Sequence, residues 1–488
     1  MAPAVRRALL ALALSACASA CAVGPNFARP EREVPPAFAG ADSPMLGPGD
    51  VEAAWWERFG DERLDRFVHE AIAQNYDVRI ALANLNEARG ARLETKLALL
   101  PIVPATAGYQ RVRLSETDAG GASQTFDLWD AGFDATWELD LWGRVRRSVE
   151  AASDDIGRDE ETLRDVVVTV TAEVGRAYVE LRGLQEQLEV ATRNAENQAA
   201  TLDLTHALLE EGRGTQLDVA QAKAQLERTR AQIPPLESAI RSSIHRLGVL
   251  TGRLPTELIP ELEVRESIPR CPGEIAIGDP AGLLRRRADI RAVERNLAGA
   301  TARIGVQVAD LFPRVLFIGS VGVDAHSFSD LSSGDAGGYS FGPRLQWAAF
   351  DLGRVYARIR QADARADAAL ALYQKTVLTA LEETENALVA YGKELERERS
   401  LAESERASRE AAELARLRYE DGVSNFLQVL DSERRLLEAQ ELLAQSQTAV
   451  SVSLIAVYKA LGGSWQVLTA PGEPPAPAPA SAPIAPSP

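Results

Sequence analysis

The chain has 488 residues, enough for roughly two to four domains, and 46% of them are hydrophobic, an ordinary share for a folded protein. Its formal net charge of -17 and its isoelectric point near 5.0 exclude a broad basic surface of the kind that binds nucleic-acid phosphates. Only four histidines are present, and neither an HExxH nor a CxxC motif occurs, so nothing in the sequence supports a metal site or a cofactor.

The first twenty residues have the pattern of a secretory signal peptide. A short positive segment precedes the apolar run from Ala8 to Ala16, which is too short to cross a membrane as a stable helix. Cys17 and Cys21 each follow small residues, as in the processing site of a lipoprotein. We predict a lipoprotein-type signal over residues 1–20 with a lipid on Cys21; Cys17 is the alternative, and an unlipidated signal is the other interpretation. Residues 21–54 are then a lipid-linked tether.

Residues 55–253 form the first of two similar segments. Apolar residues at helical spacing predict a helix from Leu64 to Pro101. The elements predicted after it are strands at about 105–114 and 126–141 and a helical hairpin at about 144–250, with a turn at Glu211-Gly212-Arg213-Gly214-Thr215 and a kink at Pro234-Pro235. In the long arm of this hairpin, apolar residues recur at alternating steps of four and three, which indicates a helix packed along another helix.

The same order of elements recurs after a proline-rich bridge over residues 254–282. The second segment, residues 283–469, contains predicted strands at about 314–324 and 339–350 and a second hairpin at about 354–463. The turn glycine Gly422 lies 210 positions after Gly212 (422 − 212). The Pro/Ala-rich tail over residues 470–488 is predicted to be disordered.

Strands that alternate apolar with polar residues suit a membrane only when their sheet is closed. Open edges would leave backbone groups unpaired in hydrocarbon, and bacterial barrels have roughly eight strands or more. Copies of the chain must then pool their strands, so two copies give eight and three give twelve. Four of the seven tryptophans lie in or beside the strands, as an aromatic girdle requires: Trp129, Trp137, Trp142 and Trp347. The alternative is a soluble pair of β-hairpins packed on the helices.

Several ordered motifs resemble the TolC/OprM type of outer-membrane efflux protein, specifically its NodT-like lipoprotein branch. In the first half they are Cys21-Ala22-Val23-Gly24-Pro25-Asn26-Phe27, Trp56-Glu57-Arg58-Phe59-Gly60-Asp61 and Trp137-Glu138-Leu139-Asp140-Leu141-Trp142-Gly143-Arg144. In the second half they include Ala309-Asp310-Leu311-Phe312-Pro313 and Arg418-Tyr419-Glu420-Asp421-Gly422. The chain departs from the family at Arg287-Ala288-Asp289, where the family has Arg-Pro-Asp, and at Ala348-Ala349-Phe350, where it has Pro-x-Phe.

The resemblance implies an α+β membrane protein with a two-fold internal repeat. Long antiparallel helical hairpins would form a periplasmic α-barrel, and four strands per chain would contribute to a trimeric, 12-stranded outer-membrane β-barrel. It implies a channel rather than an enzyme: the lipid-anchored outer-membrane channel of a tripartite RND-type efflux system that exports small molecules. The implied partners are two further chains, a periplasmic adaptor (membrane fusion) protein and an inner-membrane RND pump, with no nucleic acid. The alternatives are a channel for another pump type or type I secretion, and a soluble periplasmic coiled-coil scaffold.

The resemblance also assigns a gate to the second hairpin. Leu427 and Asp431 resemble the constriction residues of the family, an apolar ring and a carboxylate ring, and Arg434 resembles a cation on the helix face nearby. Three symmetry-related carboxylates around one axis repel each other unless they are protonated, bind a cation or move apart, so such a ring favours cations. The alternatives are that Asp431 is an exposed carboxylate on a solvated face and that Leu427 packs between helices.

Four further residues are assigned to closure of the tips and to contact with the adaptor. Asp218 and Tyr419 resemble a pair whose hydrogen bond holds neighbouring tips together, and Gly212 and Gly422 end the long helices at the tips. Thr215 followed three positions later by Asp218 is also close to a capping box, so the alternative is that Asp218 only caps a helix.

Overall fold

The computed structural model describes residues 22–41, 43–115 and 124–466. The predicted signal, both candidate lipidation cysteines (Cys17 and Cys21) and the tail over residues 470–488 lie outside this described part. Within it, every helix is too short or too polar to span a membrane.

The described part of the chain is mainly helical. Its helices are α1 (Glu62–Gln74), α2 (Tyr76–Leu97), α3 (Arg144–Glu210), α4 (Gln216–Arg230), α5 (Ile233–Leu250), α6 (Ile259–Leu262), α7 (Pro280–Arg286), α8 (Ala288–Ala309), α9 (Leu352–Glu420) and α10 (Phe426–Ala460). The two longest helices, α3 and α9, have 67 and 69 residues. Each ends in a short turn, after which α4 and α10 begin.

The single helix predicted from Leu64 to Pro101 is two helices, α1 and α2, which are separated at Asn75. The ψ angle of 136° at Asn75 is not helical. Its side-chain oxygen accepts hydrogen bonds from the backbone N–H groups of Asp77 and Val78 at 2.7 and 3.3 Å, which caps the start of α2. The apolar spacing continues through this break, so periodicity alone predicts one helix.

The predicted kink at Pro234-Pro235 is also a break between helices. α4 ends at Arg230 and α5 begins at Ile233, so both prolines fall in the first turn of a new helix. Proline is tolerated there because the first N–H groups of a helix have no partner within the helix.

Six strands form two sheets in the described ranges. They are β1 (Leu46–Gly47), β2 (Ala105–Leu114), β3 (Gln124–Leu139), β4 (Ile275–Ala276), β5 (Arg314–Ala325) and β6 (Gly337–Gln346). β1 and β4 pair in parallel, and the main sheet is antiparallel in the order β2-β3-β5-β6. β3 ends at Leu139, before the predicted residue 141, because the carboxylate of Asp140 turns back to accept hydrogen bonds from Val145 and Arg146 N–H at 3.0 and 2.9 Å.

The register of the main sheet separates an apolar face from a polar one. Residues paired across the strands point to the same face, and side chains alternate along each strand. Odd-numbered positions of β3, β5 and β6 therefore share one face, which carries Phe133, Trp137, Phe317, Val321, Tyr339 and Phe341, all exposed. Even-numbered positions share the other face and include Asp130, Asp134, Ser320, Asp324 and Ser340.

Within the described residues the chain forms two compact units, each built from both halves of the sequence. The first unit contains residues 22–31, Ala83–Glu160 and Arg291–Thr376, and it includes the main sheet. The second contains Arg32–Leu82, Glu161–Ile290 and residues 377–466. Its core includes Trp55 and Tyr458, whose rings stack with centroids 5.5 Å apart.

The second unit also holds a charged cavity of about 380 Å³ among α3, α8, α9 and α10. Arg287 donates to the carboxylates of Asp289 and Glu383, both at 2.7 Å, and Lys459 lines the same cavity. Burial raises the pKa of Asp165, which faces this cluster, to about 6; Asp289 raises it further, while Arg287 and Lys459 oppose the shift. The ionised form of Asp165 is therefore disfavoured in the folded protein.

Replacing Asp165 with Asn tests whether ionisation of this buried carboxyl destabilises the folded protein. The pKa of Asp165 is about 6 in the folded protein and 3.8 in the unfolded chain, so the folded state binds the proton more tightly. Protonation of Asp165 therefore contributes to the free energy of unfolding fully below about pH 4, and this contribution is lost as the pH rises through 6. The difference between these two pKa values corresponds to roughly 3 kcal/mol. We expect Asp165→Asn to raise the thermal unfolding midpoint in detergent at pH 8 more than at pH 5. Asp203 is exposed on the same helix, and Asp203→Asn should leave the unfolding midpoint unchanged at both pH 5 and pH 8. Equal midpoints for Asp165→Asn and the parent chain at pH 8 would contradict this account.

Candidate functional site at the hairpin tips

The two long helices end in the same backbone motif. At the first tip Gly212 has a φ of 73°, and the N–H of Arg213 donates to the carbonyl of Leu208 at 2.8 Å. At the second tip Gly422 has the same φ, and the N–H of Val423 donates to the carbonyl of Arg418 at 2.8 Å. This is a Schellman motif, whose left-handed residue is normally glycine. The two predicted tip glycines therefore terminate α3 and α9 in equivalent ways.

The returning helices begin with equivalent caps but different side chains. The hydroxyl of Thr215 accepts a hydrogen bond from Asp218 N–H at 3.2 Å, and the Asp218 carboxylate accepts one from Thr215 N–H at 2.9 Å. Together these bonds form a capping box at the start of α4. At α10 the side chain of Asn425 accepts from Gln428 N–H at 3.3 Å. Asp218 therefore caps a helix of its own chain in this structure, and its role between neighbouring tips stays a prediction.

A small apolar cluster joins the two tips. Tyr419, Phe426 and Val429 are buried there, together with Leu208 and Ala222. The rings of Tyr419 and Phe426 lie with centroids 5.6 Å apart. Within the described residues the Tyr419 hydroxyl has no hydrogen-bond partner, and burial raises its pKa, with a further contribution from Asp218. Asp218 and Tyr419 thus lie near each other at the tips, but no hydrogen bond joins them within one chain.

The three predicted gate residues share one exposed face of α10. Leu427, Asp431 and Arg434 are spaced by four and three residues, so they lie along one side of the helix. Leu427 is 59% exposed, which contradicts its interpretation as a residue packed between helices of the same chain. Asp431 forms an exposed ion pair with Arg435 at 3.0 Å, and Arg434 is exposed.

The inward side of α10 contains polar contacts that the sequence analysis did not identify. The hydroxyl of Thr201 donates to the Glu433 carboxylate at 2.9 Å, and the amide of Asn194 donates to the side-chain oxygen of Gln440 at 2.8 Å. Both contacts join α3 to α10. The signal that could have revealed them is spacing, because the partners are seven residues apart on each helix.

The apolar face of the main sheet carries aromatic rings at both ends. Tyr109 and Trp129 lie at one end, with centroids 4.4 Å apart. At the other end the indole N–H groups of Trp137 and Trp347 donate to carbonyls of Leu99 and Leu311 at 2.9 and 3.0 Å. Trp129 and Trp137 are eight residues apart on β3, about 26 Å along the strand. This length suits an outer-membrane span with an aromatic girdle at each interface.

The segment predicted as a tether is held by hydrogen bonds at its start. Val23 N–H donates to the carbonyl of Trp142 at 3.1 Å, and Arg147 donates to the carbonyl of Val23 at 3.2 Å and to the side chain of Asn26 at 2.7 Å. A Cβ on Gly143 would lie only 2.6 Å from the Cα of Ala22. The chain from Ala22 onward is therefore packed against the junction between β3 and α3.

Comparisons with known proteins agree with this geometry. The family described as outer membrane efflux protein matches residues 67–253 and 280–463. Nodulation protein T of Rhizobium leguminosarum bv. viciae is 32% identical over 463 residues, which are 94% of this chain and 93% of the relative. Outer membrane protein OprJ of Pseudomonas aeruginosa is 30% identical over 464 residues, which are 93% of this chain and 95% of the relative. The solved structure of the outer-membrane channel OprN has a TM-score of 0.86 and 40% identity, covering 91% of this chain and all of that one.

The fold and the comparisons together define an outer-membrane channel. The chain belongs to the outer membrane efflux protein family, as its motifs predict, and its function is that of the outer-membrane channel in efflux. This family comprises transport channels rather than enzymes, and the membership excludes the soluble scaffold that was the rival interpretation.

The capping box at the first tip gives a local stability prediction. Replacing Thr215 with Ala removes the hydroxyl that accepts from Asp218 N–H and should cost about 1 kcal/mol of helix stability. We expect faster amide hydrogen exchange in the first turn of α4, measured by mass spectrometry. Thr215→Ser keeps a hydroxyl and should exchange at the parent rate. Equal exchange in the Ala and Ser variants would show that the capping box does not stabilise the tip.

Proposed function

We propose that this chain is the lipid-anchored, trimeric outer-membrane channel of a tripartite efflux system driven by an RND-type inner-membrane pump. It conducts small molecules from the periplasm to the exterior through a tunnel gated at the hairpin tips, and a periplasmic adaptor joins it to the pump. The main sheet carries this proposal. It has four antiparallel strands and one exposed apolar face bounded by aromatic residues, and its edges at β2 and β6 are unpaired in the part of the chain that the structure describes.

The unpaired edges favour assembly from several copies. β2 and β6 each expose a row of backbone donors and acceptors, which hydrocarbon cannot satisfy. Two copies would supply eight strands, but side chains fill the interior of an eight-stranded barrel. Three copies supply twelve strands, which leave room for a conduit. The polar face would then line the conduit, and at one level three of the four strands lack a side chain because Gly132, Gly322 and Gly338 pair in register, beside Thr106 of β2.

The assignment to an RND-type pump rests on the resemblance to the NodT-like branch. A channel for another pump type or for type I secretion is the alternative. Chemical crosslinking in cells followed by purification of the tagged channel distinguishes them through the inner-membrane protein that is recovered. An RND transporter with its adaptor supports the proposal, and an ATP-driven transporter in its place contradicts it.

The exposed face of α10 supports a gate at the second tip. Leu427, Asp431 and Arg434 are directed away from the interior of their own chain, so in a closed ring of three chains they are free to meet their symmetry mates. Three Asp431 carboxylates around one axis would attract cations and repel one another.

Replacing Asp431 with Asn tests the carboxylate ring. Removal of three charges from a narrow passage should shift the reversal potential in a planar bilayer with a KCl gradient toward zero, because cation preference falls. Glu180→Gln is the matched control, since Glu180 also forms an exposed ion pair with an arginine four positions away, at 2.9 Å. The control should keep the parent reversal potential. An unchanged reversal potential in Asp431→Asn contradicts the ring, and parent protein that conducts no ions contradicts the channel.

The packed start of the chain supports lipidation of Cys21. Ala22 and Val23 are held at the junction between β3 and α3, so a lipid on Cys21 would lie one residue from a fixed position beside the membrane-facing sheet. A lipid on Cys17 would be separated from that position by four more residues.

Lipidation is tested by metabolic labelling with palmitate. Cys21→Ala should abolish the label, whereas Cys17→Ala should retain it, and mass spectrometry of the N-terminal peptide should find the lipid on Cys21. Loss of label only in Cys17→Ala would move the site to Cys17. Absence of label from the parent chain would contradict the lipid anchor.

A further inference from the structure

The side chains of α3 and α10 that face each other form a seam between the two helices. Along α3, the buried residues of this seam change from apolar to polar toward the tips. Farther from the tips, α3 contributes buried apolar residues to the core, namely Val167, Val170, Val174, Ala177 and Leu181. Closer to the tips, the buried residues of α3 include the polar residues Asn194, Gln198, Thr201 and Thr205, each at most 7% exposed. Polar residues at buried seam positions cost stability, and their best-attested use is to specify the register of two helices.

Two hydrogen bonds define that register. Asn194 bonds to Gln440, and Thr201 bonds to Glu433. The partners are seven residues apart on both helices and run in opposite directions, so they mark one heptad of an antiparallel pair. A slide of α10 along α3 breaks both bonds at once.

Glu433 is the charged member of this seam. It lies between Asp431 and Arg434 in sequence, but its side chain is mostly buried and contacts α3, whereas theirs are exposed. Burial raises the pKa of Glu433, while the Thr201 hydrogen bond and Arg416 of α9 oppose the shift. Arg416 is itself paired with Glu420 at 3.1 Å.

The seam also contains an unsatisfied amide one helical turn from Thr201. Gln198 is 3% exposed, and within the described residues neither its side-chain nitrogen nor its side-chain oxygen has a hydrogen-bond partner. A buried polar group without a partner is destabilising. A shift of α10 by about one turn would bring Glu433 opposite Gln198, whose N–H groups can donate to a carboxylate. The seam therefore offers Glu433 two docking positions, of which this structure shows one.

We propose that Glu433 is a positioning residue of the gate: it selects between these two registers and so sets the height and rotation of Asp431 and Arg434. In the observed register Thr201 holds it. Thr201 and Arg416 both favour the ionised carboxylate in the observed register. Neutral Glu433 could donate to the unpaired side-chain oxygen of Gln198 and accept from its nitrogen, so protonation of Glu433 favours the shifted register. This inference rests on the proposed gate at Asp431, because without that gate the register of α10 has no consequence for conduction.

Single-channel recordings of the full-length protein in planar bilayers between pH 4.5 and 8 test the inference. With the shifted register as the conducting one, the parent open fraction should rise as the pH falls, and Glu433→Gln should remove that dependence. Thr201→Val, which frees Glu433, should raise the open fraction roughly tenfold at pH 7, equivalent to about 1.4 kcal/mol. Gln198→Leu, which removes the second docking position, should lower it. Thr201→Ser keeps the hydroxyl and should match the parent.

Three outcomes separate this inference from the proposed gate. A purely structural role would lower the unfolding midpoint of Glu433→Gln while leaving the slope of open fraction against pH unchanged, and that result overturns the inference. Asp431→Asn, measured in the same experiments, reports on the gate alone. If Asp431→Asn alters ion selectivity but no variant of Glu433, Thr201 or Gln198 changes the open fraction, only the inference is overturned. Unchanged selectivity in Asp431→Asn overturns the gate, and the inference with it.

Discussion

The requirement that every backbone donor and acceptor in hydrocarbon be paired governs this protein. Within the described residues, the four strands of the main sheet expose one apolar face and leave the edges β2 and β6 unpaired. The described part of one chain therefore does not close a barrel by itself. In the proposed trimer, symmetric closure through further copies would satisfy the edges, and the need for an open interior favours three copies over two.

The internal repeat gives the two tips similar backbones, but their side chains differ in charge. Both tips use a Schellman glycine and a side-chain cap, so their geometry matches. At the positions that correspond by the 210-residue offset to Asp431, Glu433 and Arg434, the first half has Gln221, Lys223 and Ala224. Asp431 and Glu433 of the second tip thus have no acidic counterparts at the corresponding positions of the first tip, so the two halves share a backbone but differ in charge.

Local signals were sufficient for much of the fold. Period-two alternation located three strands of the main sheet, β2 was the weaker strand prediction, and four-three spacing located the long helices, because each pattern reports which face of an element is buried. The predicted ends of helices and strands were less accurate where a single side chain caps a helix and so ends an element within an apolar pattern. Asn75 interrupts an apolar stripe that continues past it, and Asp140 ends β3 by capping α3.

The sequence by itself determined the class of the protein: its repeat, its alternating strands, its turn glycines and the motifs that resemble a family are all properties of neighbouring residues. It also placed Leu427, Asp431 and Arg434 on one helix face, since helical geometry fixes relative direction. Only the tertiary structure decided which residues the inward side of that helix contacts. The bonds from Thr201 to Glu433 and from Asn194 to Gln440 join positions more than 200 residues apart, and such pairings depend on how two helices dock rather than on either helix alone.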